Sequence, residues 1–396
     1  MTRAFVTAAL SLACACAHAQ DMRPSAAPAC FAPATWYSLS GAKPRAVPEA
    51  EILALAARRD VVLLAEHHDD PDHHLWQLQT LAALHAQRPG MVIGFEAFPR
   101  RVQPVLDRWI AGELSEREFL ERVEWQKIWN LPPELYVPLF GFARLNRIPI
   151  LALNVERTLT EEIRRKGWDA VPADRKEGVS RPAAAARAYE DYLFDVFRQH
   201  TPDLKDKRAP ARTDPAFRQF VESQTTWDRA MAEALARRVK TAGEPRPLVV
   251  GIMGVGHVRE RYGVPHQLRD LGVTEVATLL PLGADVPCNE IKSTLADAVF
   301  ALPARMQDKP PPPRLGVRLE MRDKAVSVVD VTAGSLAEHS GIKAGDVVTS
   351  VAGAPAATIA RVIGAIREQP AGTWLPIQVR RGESTLDLVI KFPPKT

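Results

Sequence analysis

Between residues 45 and 285, short and nearly continuous apolar runs alternate with longer segments of helical period. The runs occupy 60–65, 91–97, 148–154, 247–254 and 275–281. Val61-Val62-Leu63-Leu64 and Ile148-Pro149-Ile150-Leu151-Ala152-Leu153 hold no charged or amide position, as expected of strands covered on both faces. Five such strands separated by helices predict an α/β domain built on a mostly parallel sheet with flanking helices.

The helical segments carry their own punctuation. Asp70-Pro71 reads as an N-cap followed by a first-turn proline, and Leu75, Leu78, Leu81 and Ala82 then supply a buried face. Residues 155–246 are too many for one crossover and are expected to form a mainly helical lid. After residue 305 the pattern breaks at Pro310-Pro311-Pro312-Pro313, which sustains neither helix nor central strand, so 306–313 is expected to be a stiff linker. From 314 to 394 short strands and tight turns follow, predicting a small β-rich domain.

Composition changes this picture little. Charged residues at 25% and hydrophobic residues at 46% are ordinary for packed domains, which removes disorder and a membrane bundle from consideration. The formal charge of +4 is interspersed with acids, so nucleic acid is not an expected partner. Residues 1–19 read as a signal peptide: Arg3, an apolar stretch, then Ala17-His18-Ala19. The mature protein is expected to begin at Gln20 and to be periplasmic, with lipid anchoring through Cys14 or Cys16 as the lesser route. Cleavage leaves Cys30 and Cys288, which an oxidising compartment allows to pair; two unrelated thiols are the alternative.

In open parallel sheets, ligands collect beyond the carboxyl ends of the strands. Those ends carry Glu66, His67 and His68, then Glu96, then Asn154, then Gly254-Val255-Gly256-His257. Imidazoles and carboxylates converging there suit two hydrolytic chemistries. A divalent ion such as Mn, Co or Zn would take His68, Glu96 and His257 and keep a position for water. Without a metal, Glu66, His68, Glu96 and His257 would form a Glu/His hydrolase site, a buried Glu of raised pKa serving as base. His-Glu-x-x-His, Cys-x-x-Cys, Gly-x-Ser-x-Gly and P-loop motifs are all missing.

These residues also carry a resemblance. Val62-Leu63-Leu64-Ala65-Glu66-His67-His68-Asp69, His73-His74, Gly94-Phe95-Glu96-Ala97-Phe98 with Gln103 and Asp107, Leu151-Ala152-Leu153-Asn154, and Gly254-Val255-Gly256-His257 with Tyr262-Gly263-Val264-Pro265 resemble the ChaN-like haem-binding uptake family of the Tiki superfamily. Alanine at 65 stands where the superfamily motif has glycine, and its methyl would crowd a ligand at that backbone. The resemblance implies haem binding and a role in iron uptake, or hydrolysis as in the esterase branch. Haem asks for an axial donor, and His257, Tyr262, His68 and Tyr136 are the candidates, with Tyr189 and Tyr192 behind them. Trp125 and Trp129 would flank a flat ligand. A second copy of the chain is a candidate partner.

In the second domain, Gly334-Ser335-Leu336-Ala337 followed by Gly341-Ile342-Lys343-Ala344-Gly345-Asp346-Val347-Val348 resembles a PDZ domain of the periplasmic-protease kind. That implies a loop at Leu315, Gly316 and Val317 receiving a peptide carboxylate, and an apolar pocket at Ile359, Val362 and Ile363. The implied partner is a peptide C-terminus or a membrane protein.

Overall fold

The computed structural model describes residues 30–200, 211–241, 243, 245–284, 286–287, 291–303, 314–323, 325–367 and 369–394. The expected signal peptide, the linker at 306–313 and Cys288 lie outside them; Cys30 is disulfide-bonded. Internal contacts divide the chain into Met1–Arg305 and Met306–Thr396.

The first unit is built on an eight-stranded sheet. Its strands are β1 (Thr35–Ser38), β2 (Arg45–Val47), β3 (Val61–Glu66), β4 (Met91–Pro99), β5 (Ile150–Asn154), β6 (Leu248–Gly254), β7 (Val276–Gly283) and β8 (Ala298–Leu302). Their spatial order is β2-β1-β8-β7-β3-β6-β4-β5, parallel from β8 through β5 and closed by an antiparallel β1–β2 ribbon. All five expected strands are present. The three additional ones are the two short strands before residue 48 and β8, whose few residues give too little period to register as runs.

Every residue of β3, β4 and β6 is buried, which explains their unbroken apolarity. One core layer packs α1 (Glu49–Ala57), α2 (Pro71–Gln87), α3 (Gln103–Ala111), α4 (Glu116–Arg122), α5 (Trp125–Ile128) and α6 (Val137–Leu145) over one face, through Trp76, Phe95, Phe98 and Phe140. In the other, α9 (Pro215–Thr241) and α10 (Val264–Asp270) cover the opposite face through Met231, Leu235 and Leu268. Ala65 belongs to this second core, so its methyl group fills packing space and does not crowd the strand end. Among the described residues the expected lid consists of α7 (Arg157–Lys166), α8 (Arg187–His200) and α9, with a small core of Tyr189, Leu193, Phe197, Phe217 and Phe220 between the last two.

The Asp70 side chain accepts the amide N–H groups of Asp72 and His73, capping α2. Capping at this point forces the chain from β3 into α2 within four residues, which keeps His67 and His68 at the mouth of the sheet.

The second unit is an antiparallel sheet ordered β14-β13-β11-β10-β9, with β12 paired to β11. Its strands are β9 (Val317–Arg322), β10 (Ala325–Val331), β11 (Val347–Val351), β12 (Ala354–Pro355), β13 (Trp374–Arg381) and β14 (Ser384–Lys391), with α11 (Leu336–His339) and α12 (Ile359–Arg367). Buried Asp346 anchors the turn before β11. It receives two hydrogen bonds from the Arg381 guanidinium and one from Lys343 N–H, which holds its carboxyl below the ordinary value despite burial.

Candidate functional site

Strands β3, β6, β4 and β5 are neighbours, and their carboxyl ends bring Glu66, Gly254, Glu96 and Asn154 to one edge. Glu66 sits opposite Gly254 in the ladder. The Asn154 amide donates to the Glu96 carbonyl at 2.9 Å and so ties β5 to β4 at the site.

Two buried carboxylates organise this edge. Glu66 Oε1 receives the Tyr136 hydroxyl at 2.5 Å and the His68 Nδ1–H at 2.7 Å, while Oε2 receives the Gln77 amide at 2.9 Å. His74 lies 3.5 Å from the same Oε2 and meets the His68 carbonyl through Nε2 at 3.1 Å. Burial pushes Glu66 up, but the His68 bond, the nearby His74 charge and the Tyr136 hydroxyl outweigh it and leave the carboxyl below its ordinary value.

Glu96 is the second. Its Oε2 accepts Gly254 N–H at 2.7 Å, and Oε1 lies 3.4 Å from His257 Nε2. Burial again opposes ionisation, yet the His257 charge, with help from His68 and the backbone bond, brings the carboxyl down to about 2. A base of raised pKa is therefore not what either glutamate offers, because each sits against imidazole. A Cβ on Gly254 would stand 2.8 Å from His68 Nε2, so glycine there lets the imidazole lie close against the end of β6.

On its far side His257 Nδ1 meets Asp228 Oδ1 at 2.6 Å, and Asp228 Oδ2 accepts the Tyr189 hydroxyl at 2.8 Å. Burial disfavours charge on His257, but Glu96 and Asp228 together hold its pKa well above the ordinary imidazole value. His68 is raised too, its bond to Glu66 and the Glu96 charge overcoming burial. His73 behaves oppositely: it is buried, accepts His67 N–H on Nδ1 at 2.9 Å, and has its pKa lowered to about 4, chiefly by burial.

Of the expected residues, Glu66, His68, Glu96 and His257 lie at one edge in two hydrogen-bonded groups. Tyr136 is 1% exposed and its hydroxyl is committed to Glu66, so as an axial donor it is corrected to a partner of the carboxylate. Trp125 is in the core with its N–H on the Leu131 carbonyl, whereas Trp129 meets the His68 ring edge-on at 4.8 Å, so the two do not face one ligand together. Tyr262 is half-buried against Tyr189, outside the carboxylate groups. Gln103 bridges to β5 through Ile150 and Ala152 and is structural. Among the described residues, no group of three or more His, Cys, Asp or Glu is arranged to hold a metal ion, so His68, Glu96 and His257 do not make the expected metal site.

In the second unit, Leu315 and Val362 are buried, Val317 and Ile359 half-buried, and Ile363 exposed beside them. Gly316 has φ +79°, and its carbonyl accepts Thr332 N–H. β9 is an edge strand.

The sequence model of a family described as haem-binding uptake, Tiki superfamily, ChaN, matches residues 52–268, more than half of the chain. The chain belongs to this family. A PDZ domain model matches residues 313–392. Among solved structures, ChaN of Campylobacter jejuni, described with cofacial haem binding, is similar to the ChaN-like domain. Identity is 20%, with 67% of this chain and 96% of that chain covered and a TM-score of 0.53. The HtrA3 PDZ domain bound to a phage-derived ligand is 23% identical over 20% of this chain and 82% of its own, with a TM-score of 0.18. Among curated proteins, none matches the chain.

Asp228, Gln77 and the role of Tyr189 were not found from sequence. Asp228 lies inside a 27-residue helix, 29 positions before His257, with no local motif to mark it.

Proposed function

We propose that this ChaN-like protein is an exported haem-binding protein of haem or iron uptake whose PDZ unit recruits a peptide C-terminus or a membrane-protein partner in the periplasm. The observation that carries the haem reading is His68. A carboxylate fixes its Nδ1, its side chain is 36% exposed, and Trp129 stands against it in a T-shaped contact. Among the described residues its Nε2 makes no hydrogen bond, and haem iron would take this imidazole once the ring gives up the proton that Glu66 and Glu96 favour; the iron is what haem would supply when bound.

The remaining candidates fit less well. His257 has a carboxylate at each nitrogen. Burial and the neighbouring Glu260 push the Tyr262 phenol up, which disfavours the phenolate. His68 is therefore the assigned donor, Glu66 its orienting partner, and Tyr136 and Gln77 the groups that hold Glu66.

A second reading, a Glu/His hydrolase, is favoured by one observation: the imidazole of His257 is oriented by Asp228 beside Glu96. Titration of hemin into residues 20–396 distinguishes the two. A shifted Soret band that weakens at least tenfold in His68→Ala, and less in Tyr262→Phe and His257→Ala, supports haem. A featureless titration, together with ester hydrolysis lost in His257→Ala, transfers the site to the hydrolase reading.

A further inference from the structure

The side chain that decides where His257 points belongs to the lid and not to the sheet. We propose that Asp228 is a positioning residue: from α9 it grips His257 by Nδ1, keeps Nε2 turned on Glu96, and thereby fixes the carboxylate at the centre of the site. This role is the same whichever ligand the site takes.

Three sets of observations carry it. Asp228 is fully buried, and both its oxygens are engaged, Oδ1 by His257 at 2.6 Å and Oδ2 by the Tyr189 hydroxyl at 2.8 Å. A buried carboxylate with this much polar commitment is too costly to be incidental packing. The chain also closes tightly round the pair: a Cβ on Gly263 would stand 2.6 Å from Asp228 Oδ1 and 2.7 Å from the His257 carbonyl. Trp227, beside Asp228 on α9, packs on the imidazole at 5.1 Å and limits rotation of the ring.

The groups facing His257 are Glu96 from β4, Asp228 and Trp227 from α9, and His68 electrostatically through Glu96. Tyr189 from α8 reaches it through Asp228. The result is a chain of contacts, Tyr189–Asp228–His257–Glu96–Gly254 N–H, that runs from two lid helices to two strands. Glu96 is held at both oxygens only while α9 stays seated.

The test uses residues 20–396 with nitrogen-labelled histidine and no added ligand. A slowly exchanging low-field Nδ1–H proton signal is expected, assigned by its loss in His257→Gln. Asp228→Asn should remove it from its low-field position, because a neutral amide oxygen accepts far more weakly than a carboxylate. Tyr189→Phe keeps the carboxylate but frees one oxygen, and should move the signal without abolishing it; this variant serves if Asp228→Asn does not fold. Absence of the signal in the unmodified protein, or its persistence unchanged in both variants, overturns the assignment. Neither result bears on whether hemin binds, so the failure of one proposal is separable from failure of the other.

Discussion

Glu96 shows at the scale of one residue how local partners reverse the effect of burial. A carboxyl group removed from water should rise, and here it falls from the ordinary 4.5 to about 2 because His257 and His68 flank it. A depressed folded pKa means that the unfolded chain binds more protons between these values. Its contribution to stability is therefore complete above about 4.5 and is lost as pH falls towards about 2. Urea midpoints measured across that window should decline in the unmodified protein, and Glu96→Gln should flatten the decline. An unchanged slope would mean that the acid sensitivity comes from elsewhere. Glu66, His68, Glu96 and His257 were legible in the sequence because each lies within three residues of the carboxyl end of an apolar run, where chain geometry alone assigns a location. Asp228 was not, since a carboxylate in mid-helix looks the same whether it faces water or an imidazole.

At the scale of elements, the strongly apolar strands announced themselves and the weak ones did not. β3, β4 and β6 are buried along their whole length, while β1 and β2 are short, partly exposed strands whose pairing is set by β8 and by each other. In the PDZ unit the expected loop at 315–317 is Leu315 and Gly316, and Val317 already opens β9, which runs to Arg322. Because β9 is an edge, its free backbone groups can accept an added strand, and α12 borders the same core through Ile359, Val362 and Ile366. Ile363→Glu places a charge on the exposed side of that helix. It should weaken binding of a fluorescent peptide with a free, apolar C-terminal residue roughly tenfold, about 1.4 kcal/mol, while leaving the melting temperature of the unit unchanged. Equal affinity in the variant would move the peptide site away from α12.

For the whole molecule, each unit closes its own core: one around the eight-stranded sheet, and another of Leu315, Val326, Val348, Val379 and Ile390. Units with separate cores melt separately, so calorimetry of the full chain should show two transitions, the second reproduced by residues 314–396 alone. A single transition that no fragment reproduces would count against it. The ladder that pairs Glu66 with Gly254 also sets a rule for how this protein tolerates changes in length. Side chains along a strand alternate between its faces, so one residue inserted within Val61–Glu66 would exchange the two core layers and offer His67 where His68 now stands. Lineages that lengthen the chain should therefore do so in turns and lid connections, and β3 should keep its six residues even where its side chains drift.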